Sequence, residues 1–244
     1  MLEPRRALLA RTTLRNRLLA ALPNETLSGL EPHMKTVPLR RGRVLCEVDE
    51  PLSQVYFVEH GAISLVTVFE DGTTAEMATV GREGVVGIGA VLGGERALGS
   101  YVVALSGAAM AVDVAHFRDA LCETPTLRPA CEAYAQAFLA HLLQNVACNA
   151  AHRVEQRCAR WLLMCADQTD DGTFELTQEY LADMLGVRRS TVTVVACALQ
   201  QAGLIGYRRG SITVRDRRGL EGAACECYRI VRNRYDRLRA RACA

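Results

Sequence analysis

Two sets of side chains in this 244-residue chain have the types and spacing to do chemistry. The first lies in "LTQEYLADMLGVRRSTVTVVACALQQAGLI", residues 176–205, where Arg188, Arg189, Ser190, Thr191 and Thr193 crowd in behind Gly186. Planar guanidinium forks match guanine edges and phosphate oxygens, and neighbouring hydroxyls both donate and accept, so this order suits a nucleic acid. Arg208 and Arg209, in "GLIGYRRGSITVRD", add two more cations at a turn. The second set is Cys148 with His152, four residues apart, and Cys225 with Cys227 in "CECY". Thiolate and imidazole are ligands of zinc and cluster sites. They are also the nucleophile and base of thiol enzymes. Each pair is half of a four-ligand site, and folding decides whether the C-terminal tail reaches the helix that holds Cys148. No oxyanion hole or glycine-rich phosphate loop accompanies Cys148 and His152. The chain is therefore read as a non-enzyme, with these two residues as a candidate sensor.

The elements that position the first set follow from spacing. Counted from Gln178, Ala182 is fifth, Gly186 ninth, Val192 fifteenth and Val195 eighteenth. A helix-turn-helix needs a small residue at the helix crossing, a glycine with positive φ in the turn, and apolar packing from the second helix at these places. Gly186 is expected to end one helix so that another starts at a steep angle, carrying Arg188, Arg189, Ser190, Thr191 and Thr193 at its beginning. The N-terminal residues of such a helix meet base edges in the major groove. Two short strands around Arg208, Arg209 and Gly210 read as a hairpin wing.

Upstream, residues 5–21 read as an amphipathic helix through Leu8, Leu9, Leu14, Leu18 and Leu19, ended by Pro23. Residues 36–114 are short β-branched runs: "RGRVLCEV", "SQVYFVEHG", "AISLVTVFEDG", "TTAEMATVG", "SYVVALSG" and "AAMAVDV". Several strands in one block predict a β-sandwich or rolled barrel, with a hairpin turn at Asp71 and Gly72. The glycines clustered between 81 and 94 mark a segment that turns tightly or approaches something closely. Residues 126–150 read as one helix of about 37 Å, long enough to suggest a paired helix. Two stripes compete along it. Leu127, Cys131, Tyr134, Phe138, His141, Asn145, Cys148 and His152 follow the alternating spacing of a coiled-coil seam, while Leu139, Leu142 and Val146 form another. One is expected on the β-domain and the other on a second subunit. A subunit seam through the first would gather thiols and imidazoles beside a hinge near residues 149–154.

The net charge of +2 hides an asymmetry: residues 1–149 carry 13 basic and 16 acidic side chains, and residues 150–244 carry 16 and 11. A basic C-terminal module hints at a polyanionic partner. No apolar run approaches the ~18 residues of a spanning helix, and Arg5, Arg6, Arg11, Arg15 and Arg17 interrupt the first leucines. The expected location is the cytoplasm, without a membrane partner. The ten cysteines are then expected to be reduced and mostly buried.

With "VYFVEHGAISLV" and "GREGVVGIGAVLGG" in the β-rich block and the helix-turn-helix stretch above, the chain resembles the Crp/Fnr family of bacterial transcription regulators. "CNAAHRVEQRCARWLL" and "CECY" resemble an alphaproteobacterial-type branch of it. The resemblance implies an α+β chain in three parts. These are a cyclic-nucleotide-binding-like β-roll with an N-terminal helix (1–124), a long dimerisation helix (125–152), and a winged helix-turn-helix with a helical tail (153–244). It implies a homodimer on a two-fold double-stranded operator, with RNA polymerase as a candidate partner. Thr177 and Gln178 would touch phosphate, and Arg189, Ser190 and Thr193 would face bases. Members that respond to cyclic AMP present Arg-Glu where Arg189 and Ser190 stand and a further Arg at Val194, so a different operator is expected.

The same resemblance bears on the effector. Cyclic-nucleotide-binding relatives hold the ribose with a Gly-Glu pair and the phosphate with an Arg followed by Ser or Thr. Aligning "VVGIGAVLGGERALGSYVVA" on that cassette puts Ile88, Leu98 and Gly99 at the three polar positions, with Glu95 and Arg96 reachable by a shifted alignment. A buried cyclic phosphate without its guanidinium is an unpaired charge, costly by several kcal/mol. No cysteine precedes Cys46 to hold an Fnr-type cluster, and His33, His60 and His116 stand alone as surface or core residues. The cofactor is left unassigned. A metal or redox signal at Cys148 and His152 is the alternative to an effector in the roll.

Overall fold

Residues 14–242 are described by the structure, a computed structural model. The Asn16 side chain caps α1 (Arg17–Ala21) by accepting from the Leu19 amide at 3.0 Å. Residues 5–13 of the expected N-terminal helix lie outside the described residues. After α2 (Asn24–Leu30) come β1 (Met34–Leu39), β2 (Val44–Cys46), β3 (Gln54–Val68), β4 (Thr74–Val80), β5 (Val85–Val86) and β6 (Ser100–Asp113). They form one antiparallel sheet in the order β1-β6-β3-β4, with β2 on β6 and β5 on β3.

Four runs expected as separate strands are two long ones. "SQVYFVEHG" joins "AISLVTVF" in β3, and "SYVVALSG" joins "AAMAVDV" in β6. Their register shifts around His60 and Ala62, opposite Ala108 and Leu105, so both strands bend through an irregularity instead of stopping. The β3–β4 turn falls where "EDG" placed it, with the Asp71 carboxylate accepting from the Thr73 amide at 2.9 Å.

α3 (Val114–Glu123) leads into α4 (Leu127–Ala151), and the rest of the chain is α5 (Val154–Ala166), β7 (Thr173–Glu175), α6 (Gln178–Leu185), α7 (Arg189–Gln201), β8 (Ile205–Arg208), β9 (Ser211–Val214), α8 (Arg217–Ala223) and α9 (Cys227–Ala242). α4 buries Leu127, Cys131, Tyr134, Phe138, His141, Asn145 and Cys148. This overturns a subunit seam along that stripe. Its neighbours are the roll and the chain's own α9, which lays Tyr235 on it: the Tyr134 and Tyr235 rings stack at 6.0 Å, and His141 Nδ1 and the Tyr235 hydroxyl share a hydrogen bond of 3.2 Å. Burial, with Arg160 nearby, pulls His141 down to about 3, so it is a neutral packing residue. On the outer side Leu139, Leu143 and Val146 are 58, 63 and 69% exposed, while Leu142 turns half inward against the roll core.

The C-terminal module has its own core, in which Trp161, Leu162, Leu181, Leu185, Val192, Val195, Ile205 and Leu220 pack together. Ala62, Val66, Ala104 and Leu105 of the roll belong to the same cluster, so the module rests on the roll's outer face. Polar bonds pin the contact. Trp161 Nε1 donates to Glu76 of β4 at 2.7 Å, the Asn145 amide donates to the Met77 carbonyl at 2.7 Å, and Arg160 donates to Asn145 Oδ1 at 2.6 Å. No helix among the described residues is long and apolar enough to cross a membrane.

Candidate nucleic-acid interface and a buried thiol cluster

Thr177 caps α6, its hydroxyl accepting from the Tyr180 amide at 3.2 Å. α6 ends at Gly186, whose φ of 63° and ψ of 41° lie in the left-handed region that only a residue without Cβ occupies freely. The chain turns there, and Arg188 caps α7 in extended conformation. Leu181, Ala182, Leu185, Val192 and Val195 are buried where the two helices cross. Arg188, Arg189 and Ser190 are exposed at the start of α7, and Thr191 and Thr193 are half-buried.

Thr193 is already engaged: its hydroxyl donates to Gln178 Oε1 at 2.7 Å and lies 3.1 Å from the Arg189 carbonyl. Gln178 and Thr193 thus tie the two helices together as well as standing near the candidate interface. Val194, marked in the sequence only as a departure from the family pattern, is 70% exposed in the middle of α7. Its signal was available, since an apolar residue off the Val192 and Val195 face must point away from the core. The wing is β8 and β9, paired Arg208 to Ser211, with Arg208 and Arg209 exposed at its tip. Arg209 has a φ of 50°. The Leu176 amide donates to the Gly210 carbonyl at 2.7 Å, so the wing tip is fastened to the approach to α6.

The second set of side chains meets in one place. His152 is not one more turn of α4: it is the C-cap, with φ −106° and ψ 147°, its amide donating to the Cys148 carbonyl at 3.0 Å. Cys225 and Cys227 arrive from the start of α9, which runs back along α4. Cys148 Sγ lies 3.5 Å from Cys225 Sγ, and His152 Nδ1 lies 3.5 Å from Cys227 Sγ. All four ligand atoms are within 4.8 Å of one another. His152 Nε2 faces the Glu226 carboxylate at 3.3 Å, and the Gln144 amide donates to Cys227 Sγ at 3.1 Å. Nδ1 is therefore turned to Cys227 and not to Cys148, which departs from the nucleophile-and-base pairing of Cys148 with His152.

The hydrogen bond from the Cys148 thiol holds Cys225 down at about 5, aided by the Cys227 amide and Arg160. The same bond pushes Cys148 up. Beside the cluster, Arg157 donates through Nη2 to the Leu185 carbonyl at 2.5 Å, the last residue of α6. Burial lowers the Arg157 pKa, and the Cys148 and Cys225 sulfurs counter that.

Residues 36–123 match the cyclic nucleotide-binding domain, and residues 156–223 match the Crp-like helix-turn-helix domain. The chain belongs to the Crp/Fnr family of transcription regulators. It is 28% identical over 186 residues to the global nitrogen regulator of Synechococcus elongatus, covering 71% of this chain and 82% of that one. A CRP/FNR family transcriptional regulator from Thermus thermophilus is 26% identical with a TM-score of 0.63, over 78% of this chain and 98% of that one. FixK2 from Bradyrhizobium japonicum shares the fold at 19% identity, with a TM-score of 0.68 over 79% of this chain and 98% of that one.

Within this Crp/Fnr roll, the cassette positions are apolar or displaced. Ile88 is buried in a tight turn, Leu98 is 62% exposed, and a Cβ on Gly99 would meet Met77 Cε at 2.7 Å. Arg96, the cation of a shifted alignment, is spent on the Asp49 carbonyl, and Glu95 offers its backbone carbonyl to the Leu52 amide at 2.9 Å. Cyclic AMP and cyclic GMP are expected to give no heat of binding in titration calorimetry with the full chain. Micromolar affinity for either would show that the roll supplies a phosphate partner from elsewhere.

Proposed function

We propose that this Crp/Fnr regulator is a cytoplasmic homodimer that reads a two-fold DNA operator, without catalytic activity, and adjusts transcription in contact with RNA polymerase. The observation that carries the reading is the exposed Arg188, Arg189 and Ser190 immediately after the Gly186 break, flanked by Arg208 and Arg209 on the wing. Arg189, Ser190 and Thr193 face bases, Thr177 and Gln178 touch phosphate, and Arg188 and Thr191 stand beside them at the start of α7. Val194 suits a thymine methyl, a contact open to an exposed apolar side chain on a recognition helix. The second subunit packs on Leu139, Leu143 and Val146, the apolar side of α4 that the chain's own fold leaves open. The division of labour follows residues 1–124, 125–152 and 153–244, with residues 149–154 as the hinge.

The experiment is a quantitative gel shift on DNA selected from random sequence. Arg189→Ala is expected to lose about 1 to 3 kcal/mol of binding and to relax preference at one symmetric base pair. Arg208→Ala is expected to weaken all sequences alike and to reduce the salt slope by about 1. Half-sites are expected about 34 Å apart, one helical turn. Unchanged base preference in Arg189→Ala removes that residue from readout.

A further inference from the structure

We propose that Cys148, His152, Cys225 and Cys227 bind a zinc-class divalent ion in a tetrahedral site that clasps the start of α9 to the α4–α5 hinge. Three sulfurs and one imidazole nitrogen are a ligand set that zinc takes in closed structural sites. The geometry fits that ion. With Zn–S of about 2.3 Å and Zn–N of about 2.0 to 2.1 Å, a tetrahedron has sulfur–sulfur edges near about 3.8 Å and sulfur–nitrogen edges near about 3.6 Å. The contacts of 3.5 Å between Cys148 and Cys225, and 3.5 Å between Cys227 and His152, lie within a few tenths of those edges. The widest separation among the four atoms, at most 4.8 Å, needs only side-chain rotation to close. An iron–sulfur cluster would need its ligands spread around several iron atoms, and calcium or magnesium would need oxygens.

The surroundings are those of a ligand shell. Glu226 faces His152 Nε2 at 3.3 Å, which places the imidazole proton on Nε2 and leaves the Nδ1 lone pair for the ion. Gln144 donates to Cys227 Sγ at 3.1 Å. On binding, any proton still on a ligating sulfur passes to solvent as that sulfur takes the metal, so all three bind as thiolates. Three thiolates and a divalent cation leave one negative charge. Arg157 and Arg160, whose charges act on these sulfurs, lie on α5 to offset it. The cysteines are separated by 77 residues in sequence, Cys148 to Cys225, so the ion closes a long loop that packing alone otherwise closes.

The metal site stands whether or not the DNA reading holds, and its measurements involve no DNA. The full chain, purified reduced, is stripped with a chelator and titrated with cobalt(II) as a spectroscopic stand-in for zinc. Expected are one ion per chain, the visible d–d bands of tetrahedral cobalt, and a sulfur-to-cobalt charge-transfer band, all displaced by zinc. Cys227→Ser and His152→Ala are expected to lose or shift those bands, while Cys122→Ser, at an exposed cysteine of the roll, retains them. Glu226→Ala keeps all four ligands and is expected to bind about 10-fold more weakly, the scale of a lost partner to a ligating histidine. Circular dichroism of each variant separates lost ligation from lost folding. A chain that takes up no cobalt overturns the site. So does an unchanged spectrum in folded Cys227→Ser, or a metal-free chain that forms a Cys148–Cys225 disulfide in place of binding.

Discussion

Glu76→Ala is expected to lower the unfolding free energy by about 3 kcal/mol, because buried donors left without an acceptor cost about 1 to 3 kcal/mol each. Glu76 accepts from the Ser64 hydroxyl, from the Thr79 hydroxyl at 2.8 Å and from Trp161 Nε1 at 2.7 Å, all at the contact between roll and DNA-binding module. The hydroxyls can rotate toward other acceptors. The indole N–H cannot, since the ring is fixed in an apolar cluster. Trp161 is the chain's only tryptophan, so its emission reports this contact directly. Glu76→Gln keeps the volume, offers its carbonyl to the indole and its amide to the hydroxyls, and is expected to stay near wild type at mildly acid pH, where Glu76 is protonated.

The carboxylate itself gives the pH dependence. Burial raises the Glu76 pKa, against the hydrogen bonds from Ser64, Thr79 and Trp161 and the charge of Arg160. An acid whose folded pKa is raised binds its proton more tightly folded than unfolded. Its contribution to stability is present below the unfolded pKa and declines as pH climbs toward the folded one. Urea midpoints of wild type and Glu76→Gln are therefore expected to diverge in the variant's favour as pH rises above the ordinary carboxylate range. Parallel midpoints across that range would mean that folding does not raise the Glu76 pKa, and a Glu76→Ala protein as stable as wild type would mean that Glu76 is not the acceptor on which this contact depends.

The second large effect is expected at Gly84. A Cβ there falls 2.1 Å from Tyr134 Cε2 and Cζ and 2.2 Å from its hydroxyl. The ring has nowhere to go: it is fully buried, with Phe138 stacked at 5.9 Å and Tyr235 at 6.0 Å. Overpacking of this kind costs about 3 kcal/mol at the upper end of its usual range. The Gly84 carbonyl also accepts from the Asn16 amide at 2.8 Å, so Gly84→Ala strains α1, α4 and α9 together. Scanning calorimetry is expected to show a clear fall in Tm, part of which returns when Tyr134→Leu is added. A Gly84→Ala chain with the wild-type Tm, or no recovery in the double variant, counts against the close approach.

Local rules carried the DNA-binding half. Ala182, Gly186, Val192 and Val195 each do a job set by neighbours within about twenty positions, and the wing turn at Gly210 is equally local, so their spacing is readable before folding. The resemblance of whole segments to the Crp/Fnr family extended that reading to the roll and the long helix. Less legible was where strands end. β3 and β6 each read as two strands because a turn residue such as Gly61 or Gly107 looks like a stop in sequence, whereas a long antiparallel partner lets the pairing resume after a shifted register.

The sequence by itself determined the kind of fold, the break at Gly186, the cations behind it and the apolar content of α4. Which side of α4 turned inward was decided only by tertiary structure, because both stripes are apolar enough to bury and the choice depends on what comes back to meet them. α9 comes back with Tyr235 and Val231, so the stripe from Leu127 to Cys148 is covered and Leu139, Leu143 and Val146 are left outside. The same return of α9 makes one cluster from two half-sites. Cys148 and Cys225 are neighbours at 3.5 Å although nothing local relates them, since proximity across a long loop is a product of packing and not of spacing along the chain.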